Sequence, residues 1–165
     1  PQEFPMIKPG DRLPDVTVRT MADGKPTEVS SLAALGTGRV VLFAVPGAFT
    51  PGCSKVHLPG YAAKAGALSE KGVDVIACTS VNDAFVLDAW AQQHGVADTF
   101  TMLADPDASF AKAVGLEIDA TGLGLGVRSQ RYAMVIEDGV VVSVFPEEDG
   151  LKILNSSAEC VLDSL

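Results

Sequence analysis

A chain of 165 residues, 47% of them apolar, holds enough hydrophobic material for one core and predicts a single domain over 1–165. Its net charge of −9 excludes a nucleic-acid partner and an anionic membrane surface, and no apolar run nears the ~20 residues needed to cross a bilayer. Three widely spaced cysteines make no disulfide scaffold and suit a reducing compartment, where thiols react or lie buried. The chain opens on Pro1 rather than Met, which reads as a processed start with any targeting peptide gone.

In chain order, 1–14 is rich in proline and glycine and predicts an irregular N-terminal arm. Val16 and Val18 alternate with polar residues as in a half-exposed strand, and Asp23-Gly24 turns it into a second over Thr27 to Val29. Ser30 or Ser31 caps a short helical turn through Leu35, closed by Gly36 to Gly38. Val40 to Val45 is an unbroken apolar run, the mark of a strand buried on both faces, and Pro46 and Gly47 stop it. Thr50 then serves as N-cap of a helix with Pro51 at its first position, where a missing N–H costs nothing. Pro59 should kink that helix, because its ring meets the carbonyl of Lys55. Leu58, Tyr61, Ala62, Ala65 and Leu68 carry its apolar stripe, and Gly72 ends it.

Val73 to Cys78 predicts a second buried strand. Asn82 caps a helix over Asp83 to His94, with Val86, Ala89, Trp90 and Gln93 near one face and Gly95 as its stop. Phe100 to Ala104 is a strand, and Asp105-Pro106-Asp107 turns into a helix ending at Gly115. Thr121 to Ser129, with glycines at alternate positions, lacks the GxGxxG spacing of a phosphate cradle and reads as a flexible loop. Tyr132 to Glu137 and Val140 to Phe145 form a hairpin through Asp138-Gly139. Glu147, Glu148 and Asp149 suggest paired carboxylates on paper, though adjacent acids in a turn are usually a solvated corner. Ser156-x-x-Glu159 is a capping box opening a last short helix. Strands alternating with helices, then a hairpin, predict an α/β fold with a central mixed sheet covered by helices on both faces.

The reactive candidate is Cys53. It falls in the first turn of its helix, where free N–H groups and the helix dipole favour thiolate over thiol. Most free cysteines are only small hydrophobes, but the Pro-x-x-x-Thr-x-x-Cys spacing sets turn-forming residues around this one. A free thiol of pKa ~8.5 must drop by a unit or more to be mostly ionised at neutral pH, which asks for a cation. Arg128 and Arg131 are the candidates, and Arg131, directly before the apolar strand, enters the sheet as a charge in need of a partner. His57, one turn beyond Cys53, can reach the same site as added positive potential, as the base of a Cys–His hydrolase, or as a structural neighbour. A zinc site from Cys53, His57 and Cys78 lacks the usual Cys-x-x-Cys or paired-histidine spacing, so neither metal nor cofactor is expected.

The run Pro46 to Gly60, PGAFTPGCSKVHLPG, resembles the active-site loop of the peroxiredoxins, in particular their type II (class 5, atypical) branch. With Val81 to Phe85 (VNDAF) and Gly126 to Ser129 (GVRS), the likeness covers nearly the whole chain and is strongest to plant, plastid-type members. It implies a thioredoxin-like fold and a thiol peroxidase for hydrogen peroxide and small alkyl hydroperoxides, with Cys53 as the peroxidatic nucleophile oxidised to sulfenic acid. The resemblance also picks Arg131 as the cation, makes Thr50 a hydroxyl that contacts the thiolate and orients peroxide besides any capping role, and makes Pro46 a shield from water. His57 and Arg128 stand around these groups. Cys78 matches the proposed resolving thiol of plant members, with a buried strand-end cysteine as the equal alternative. The resolving position of animal members falls near Asn155, so that route is absent, and Cys160 reads as a structural or incidental thiol. Glutathione with glutaredoxin, or thioredoxin, would restore Cys53. A homodimer and a place in the chloroplast stroma, or alternatively the cytoplasm, follow from the same likeness. Two other readings compete: a thioredoxin-like disulfide exchanger, weakened because Thr50 stands where its first cysteine would, and a non-enzymatic peroxide-sensing protein or dimeric scaffold.

Overall fold

A computed structural model describes residues 4–149 and 152–165. The N-terminal arm is irregular, yet it buries Ile7 and Leu13. Asp23 and Gly24 both take positive φ, 53° and 75°, as a tight hairpin turn demands, and join β1 (Thr17–Ala22) to β2 (Lys25–Ser30). Ser30 caps the short helix α1 (Ser31–Leu35), its hydroxyl accepting from the Ala33 amide. The apolar run becomes β3 (Arg39–Ala44). A helical segment opens at Pro51, widens into one π-turn over Cys53–His57 and continues as α2 (Leu58–Glu70).

The disturbance expected from Pro59 takes the form of that wide turn. The Leu58 N–H reaches back five residues to the Cys53 carbonyl, and the shifted register relieves the proline ring where a plain α-helix would meet it.

β4 runs over Val75–Ser80, two residues later than the apolar pattern predicts. Gly72, at φ 85°, ends the helix, and Asp74 is spent on the β3 entrance, its carboxylate accepting from the Arg39 amide. Cys78 therefore lies inside the strand, opposite Phe43 and Met102, and does not close it. α3 (Ala84–Gln93) is capped by Asp83, whose carboxylate accepts from Val86 N at 2.8 Å. Asn82, the expected cap, instead accepts from Ala48 N and from the Ser80 hydroxyl. With the start moved by one residue the buried face becomes Ala84, Leu87, Trp90 and Ala91, and the predicted Ala89 and Gln93 are exposed. Ala62 of α2 is exposed as well.

β5 (Thr101–Ala104) and α4 (Ser109–Ala113) follow. The glycine-rich stretch is no free loop. After one 3-10 turn, β7 (Val127–Ser129) pairs antiparallel with β6 (Glu117–Asp119), placing Arg128 opposite Ile118. The hairpin of β8 (Tyr132–Glu137) and β9 (Val140–Pro146) turns through Asp138 and Gly139, both at positive φ. α5 (Ala158–Ser164) is capped by Ser157 rather than Ser156, whose hydroxyl is engaged by Glu147.

Among the described residues the main sheet has seven strands in the order β2-β1-β5-β4-β3-β8-β9, with β3, β4 and β5 parallel and the outer strands antiparallel. β3 shows why a continuous apolar run suits its place. Val41 and Phe43 pack with Leu58, Tyr61 and Trp90 on the face covered by α2, α3 and α5, while Val40, Leu42 and Ala44 pack with Leu35 and Phe110 on the other. Among the described residues no helix is long and apolar enough to cross a membrane.

Candidate active site

The loop leaving β3 is fastened before it reaches Cys53. Val45 N donates to the Thr79 carbonyl at 3.2 Å, and Ala48 N to the Asn82 side chain at 3.0 Å. Arg128 donates from Nη1 to the Pro46 carbonyl at 3.4 Å and from Nε to Leu125 at 2.9 Å, so it tethers the loop to the β6–β7 ribbon without bonding the sulfur. Two glycines in this loop lie close against the arginines. A Cβ on Gly47 would lie 3.1 Å from Arg128 Nη1, and one on Gly52 would lie 3.2 Å from Arg131 Nη2.

Cys53 is fully buried, and among the described residues the Thr50 and Arg131 side chains meet its sulfur. The Thr50 hydroxyl stands 2.9 Å from Sγ and also 2.7 Å from the Gly47 carbonyl, and Arg131 Nη2 stands 3.3 Å from Sγ. Thr50 is thus turned onto the sulfur, not onto the Cys53 amide as a plain N-cap would be. Its single proton can go to the Gly47 carbonyl while the sulfur is a thiol and swing to the sulfur when that ionises.

Arg131 is 3% exposed, a charge held inside the protein by its neighbours. Nη1 donates to His57 Nδ1 at 3.0 Å, and His57 Nε2 lies 3.0 Å from the Ser156 carbonyl. A guanidinium can only donate and a carbonyl can only accept, so the imidazole proton sits on Nε2. Burial first, then the Arg131 charge, lower the His57 pKa to about 4, against the opposing Ser156 bond. With both nitrogens engaged, the neutral ring turns no free lone pair toward Cys53.

Glu147 is where the sequence reading fails most clearly. It is 2% exposed, not part of a solvated corner. Its carboxylate accepts from the amides of Leu154, Asn155 and Ser156 and from the Ser156 hydroxyl. Burial alone would raise its pKa, but those donors together hold it below the ordinary value. The 2.7 Å hydrogen bond from the Tyr61 phenol to the Ser156 carbonyl was also invisible to spacing arguments, as was the 2.9 Å bond from Trp90 Nε1 to the Ser54 hydroxyl.

Cys78 shares the core with Cys53 but is fully buried within β4, and burial, then the neighbouring Cys53 charge, push its thiol well above the ordinary value. Cys160 is half-buried on α5, its Sγ donating to the Leu154 carbonyl. A cleft of about 440 Å³ opens beside the site, lined by Pro46, Thr50, Gly52 and Arg131 and walled by Ile118, Leu123 and Leu125.

A redoxin family model matches residues 8–162. The chain belongs to the peroxiredoxin family. Chloroplastic peroxiredoxin-2E of Arabidopsis thaliana is 48% identical over an alignment covering 96% of this chain and 69% of that protein. The reduced Prx3 of Vibrio vulnificus in complex with hydrogen peroxide superposes with a TM-score of 0.90 at 48% identity, covering 96% of this chain and 99% of that one. Peroxiredoxin 5 from Alvinella pompejana reaches 0.81 at 34% identity, covering 96% and 97%. Membership brings the thioredoxin-like α/β fold and a thiol-dependent peroxidase activity to this peroxiredoxin.

Proposed function

We propose that this peroxiredoxin reduces hydrogen peroxide and small alkyl hydroperoxides with Cys53 as its peroxidatic nucleophile, as a member of the type II branch. The observation carrying this reading is the sulfur held between the Thr50 hydroxyl and the Arg131 guanidinium, at 2.9 and 3.3 Å. The thiolate attacks the terminal peroxide oxygen and the O–O bond breaks. Cys53 becomes a sulfenic acid, and the departing oxygen takes a proton to leave as water or an alcohol. Thr50 and Arg131 are the donors for the charge that moves onto that oxygen, and Pro46 shields the loop side. The apolar walls of the cleft, Ile118, Leu123 and Leu125, favour an alkyl group on the substrate.

Reduction then falls to an outside thiol, glutathione with glutaredoxin or thioredoxin, because Cys78 is sealed inside β4 and would need the sheet to open before it could resolve Cys53. The chloroplastic relatives support a plastid location, within which the stroma is the compartment proposed, and exposed Phe49, Phe85 and Leu123 support a homodimer. Stopped-flow mixing with peroxide tests the core of the reading. Cys53→Ser should abolish consumption while Cys160→Ser leaves it intact, and full turnover by Cys53→Ser would end the proposal. Turnover with each reductant in separate assays decides between glutaredoxin and thioredoxin.

A further inference from the structure

We propose that Glu147 is a positioning residue, which holds the Ser156 turn and so aims the His57–Arg131 pair at Cys53. The inference rests on the peroxidase reading above and adds to it a residue outside the reacting atoms.

Glu147 follows β9 directly; its N–H donates to the Arg131 carbonyl at 2.9 Å, and Gln130 Nε2 donates to its carbonyl at 2.8 Å. Its backbone is therefore fastened to Arg131 itself. The side chain turns inward, where Oε2 accepts from Leu154 N at 2.7 Å, Asn155 N at 2.9 Å, Ser156 N at 2.9 Å and Ser156 Oγ at 2.7 Å. Consecutive amides closing on one carboxylate fold 154–156 into a fixed turn, much as a backbone nest closes on an anion.

That turn has one outlet toward the chemistry. The Ser156 carbonyl receives both His57 Nε2, at 3.0 Å, and the Tyr61 hydroxyl, at 2.7 Å. Anchoring Nε2 puts the Nδ1 lone pair on Arg131 Nη1, and a guanidinium held at Nη1 presents Nη2 to the sulfur. If the turn loosens, the ring loses its anchor and the guanidinium loses its aim.

Three roles for Glu147 predict different outcomes. A carboxylate acting only as a nearby negative charge disfavours a thiolate, so removing it would let Cys53 ionise at lower pH. A brace acting only on the fold would change stability and leave the sulfur alone. A positioning residue moves Cys53 ionisation to higher pH when it is lost, against the simple electrostatic sign.

The experiment follows iodoacetamide alkylation of Cys53 against pH, read on its own peptide by mass spectrometry, with the rate of peroxide oxidation and urea unfolding alongside. Glu147→Gln is expected to raise the alkylation midpoint by about one unit and slow oxidation at neutral pH by about tenfold. Glu147→Asp keeps the charge but draws the oxygens back by one methylene, and it should move the midpoint the same way, where a pure charge effect would leave it at the parent value. Ser156→Ala, mild enough to fold if the others do not, should give a smaller rise. A midpoint that stays put or falls in the folded variants overturns the proposal. Alkylation needs no peroxide, so a parent protein with a shifted midpoint in its variants but no peroxide consumption would sink the peroxidase reading and leave this one standing.

Discussion

His57 should make the fold acid-labile in a defined window. Burial and then the Arg131 charge hold its pKa at about 4, against 6.5 for an ordinary histidine. The unfolded chain therefore takes up a proton that the native state refuses as pH falls from 6.5 toward 4. For a base whose folded pKa is depressed, the stability is fully present above 6.5 and drains away on acidification. At 1.36 kcal/mol per unit the gap amounts to about 3 kcal/mol, a large share of the 5–15 kcal/mol that typically holds a domain together. Other groups titrate nearby, Glu147 losing stability in the same direction at lower pH and Asp105, pushed up by burial, working the opposite way. The comparison must therefore be made against His57→Gln, whose amide can accept from Arg131 and donate to the Ser156 carbonyl without gaining a charge. Urea unfolding followed through Trp90, the one tryptophan, gives both curves from pH 7.5 to pH 4. The parent should lose about 3 kcal/mol more than the variant over that range. Parallel slopes would refute the account of a buried neutral imidazole.

Arg131→Ala should slow Cys53 oxidation by ~10²–10³-fold and move its alkylation to higher pH, measured by stopped flow and by the iodoacetamide profile. Gly52→Ala separates activity from stability: the new Cβ would crowd Arg131 Nη2 at 3.2 Å, while alanine in place of glycine favours the helix by about 0.5–1 kcal/mol. A slower peroxide reaction with unchanged or raised unfolding midpoint is the expected pair of results. Cys78→Ser should keep turnover with an outside thiol and cost about 1–3 kcal/mol in urea unfolding, since it buries a hydroxyl.

What could be read from the sequence was governed by local rules. β3 follows from an apolar run, both hairpins from Asp-Gly pairs that tolerate positive φ, and the place of Cys53 from proline and threonine at a helix start. Arg131 was legible because a charge at the mouth of an apolar strand needs a partner. Asn82, Asp83, Ser156 and Ser157 show the limit of such rules. Each is a good cap, and the one not needed at a helix start was taken by another element: Asn82 by the loop amide of Ala48, Ser156 by Glu147. Glu147 itself was misread because its partners are seven to nine residues further along and fold back onto it, which no periodicity records. The ribbon of β6 and β7 was hidden for another reason: each strand is three residues long, too short to show an alternation, and the glycines at alternate positions belong to the connection between them.

The neutral state of His57 bears on the proposed chemistry as well as on stability. When Cys53 is ionised, the Arg131 guanidinium faces the charge on the sulfur directly, while the Glu147 carboxylate is held by its own donors in the 154–156 turn. Attack on a peroxide moves that negative charge a bond or two away, onto the departing oxygen, and the same guanidinium and the Thr50 hydroxyl remain the groups that can meet it. The hydroxyl needs only to rotate, since its alternative acceptor, the Gly47 carbonyl, is 2.7 Å away on the same loop. Donors already in place cost little to reorganise, which is the condition under which electrostatic stabilisation is most effective. A protonated His57 would break this balance. It would have no lone pair for Arg131 Nη1, would set two cations against each other at a distance of 3.0 Å, and would turn the guanidinium away from the sulfur. The burial that keeps the imidazole uncharged is therefore part of how Arg131 is kept on target, and it does so in the folded protein down to about pH 4, well below the pH 6.5 at which the stability His57 confers begins to drain away.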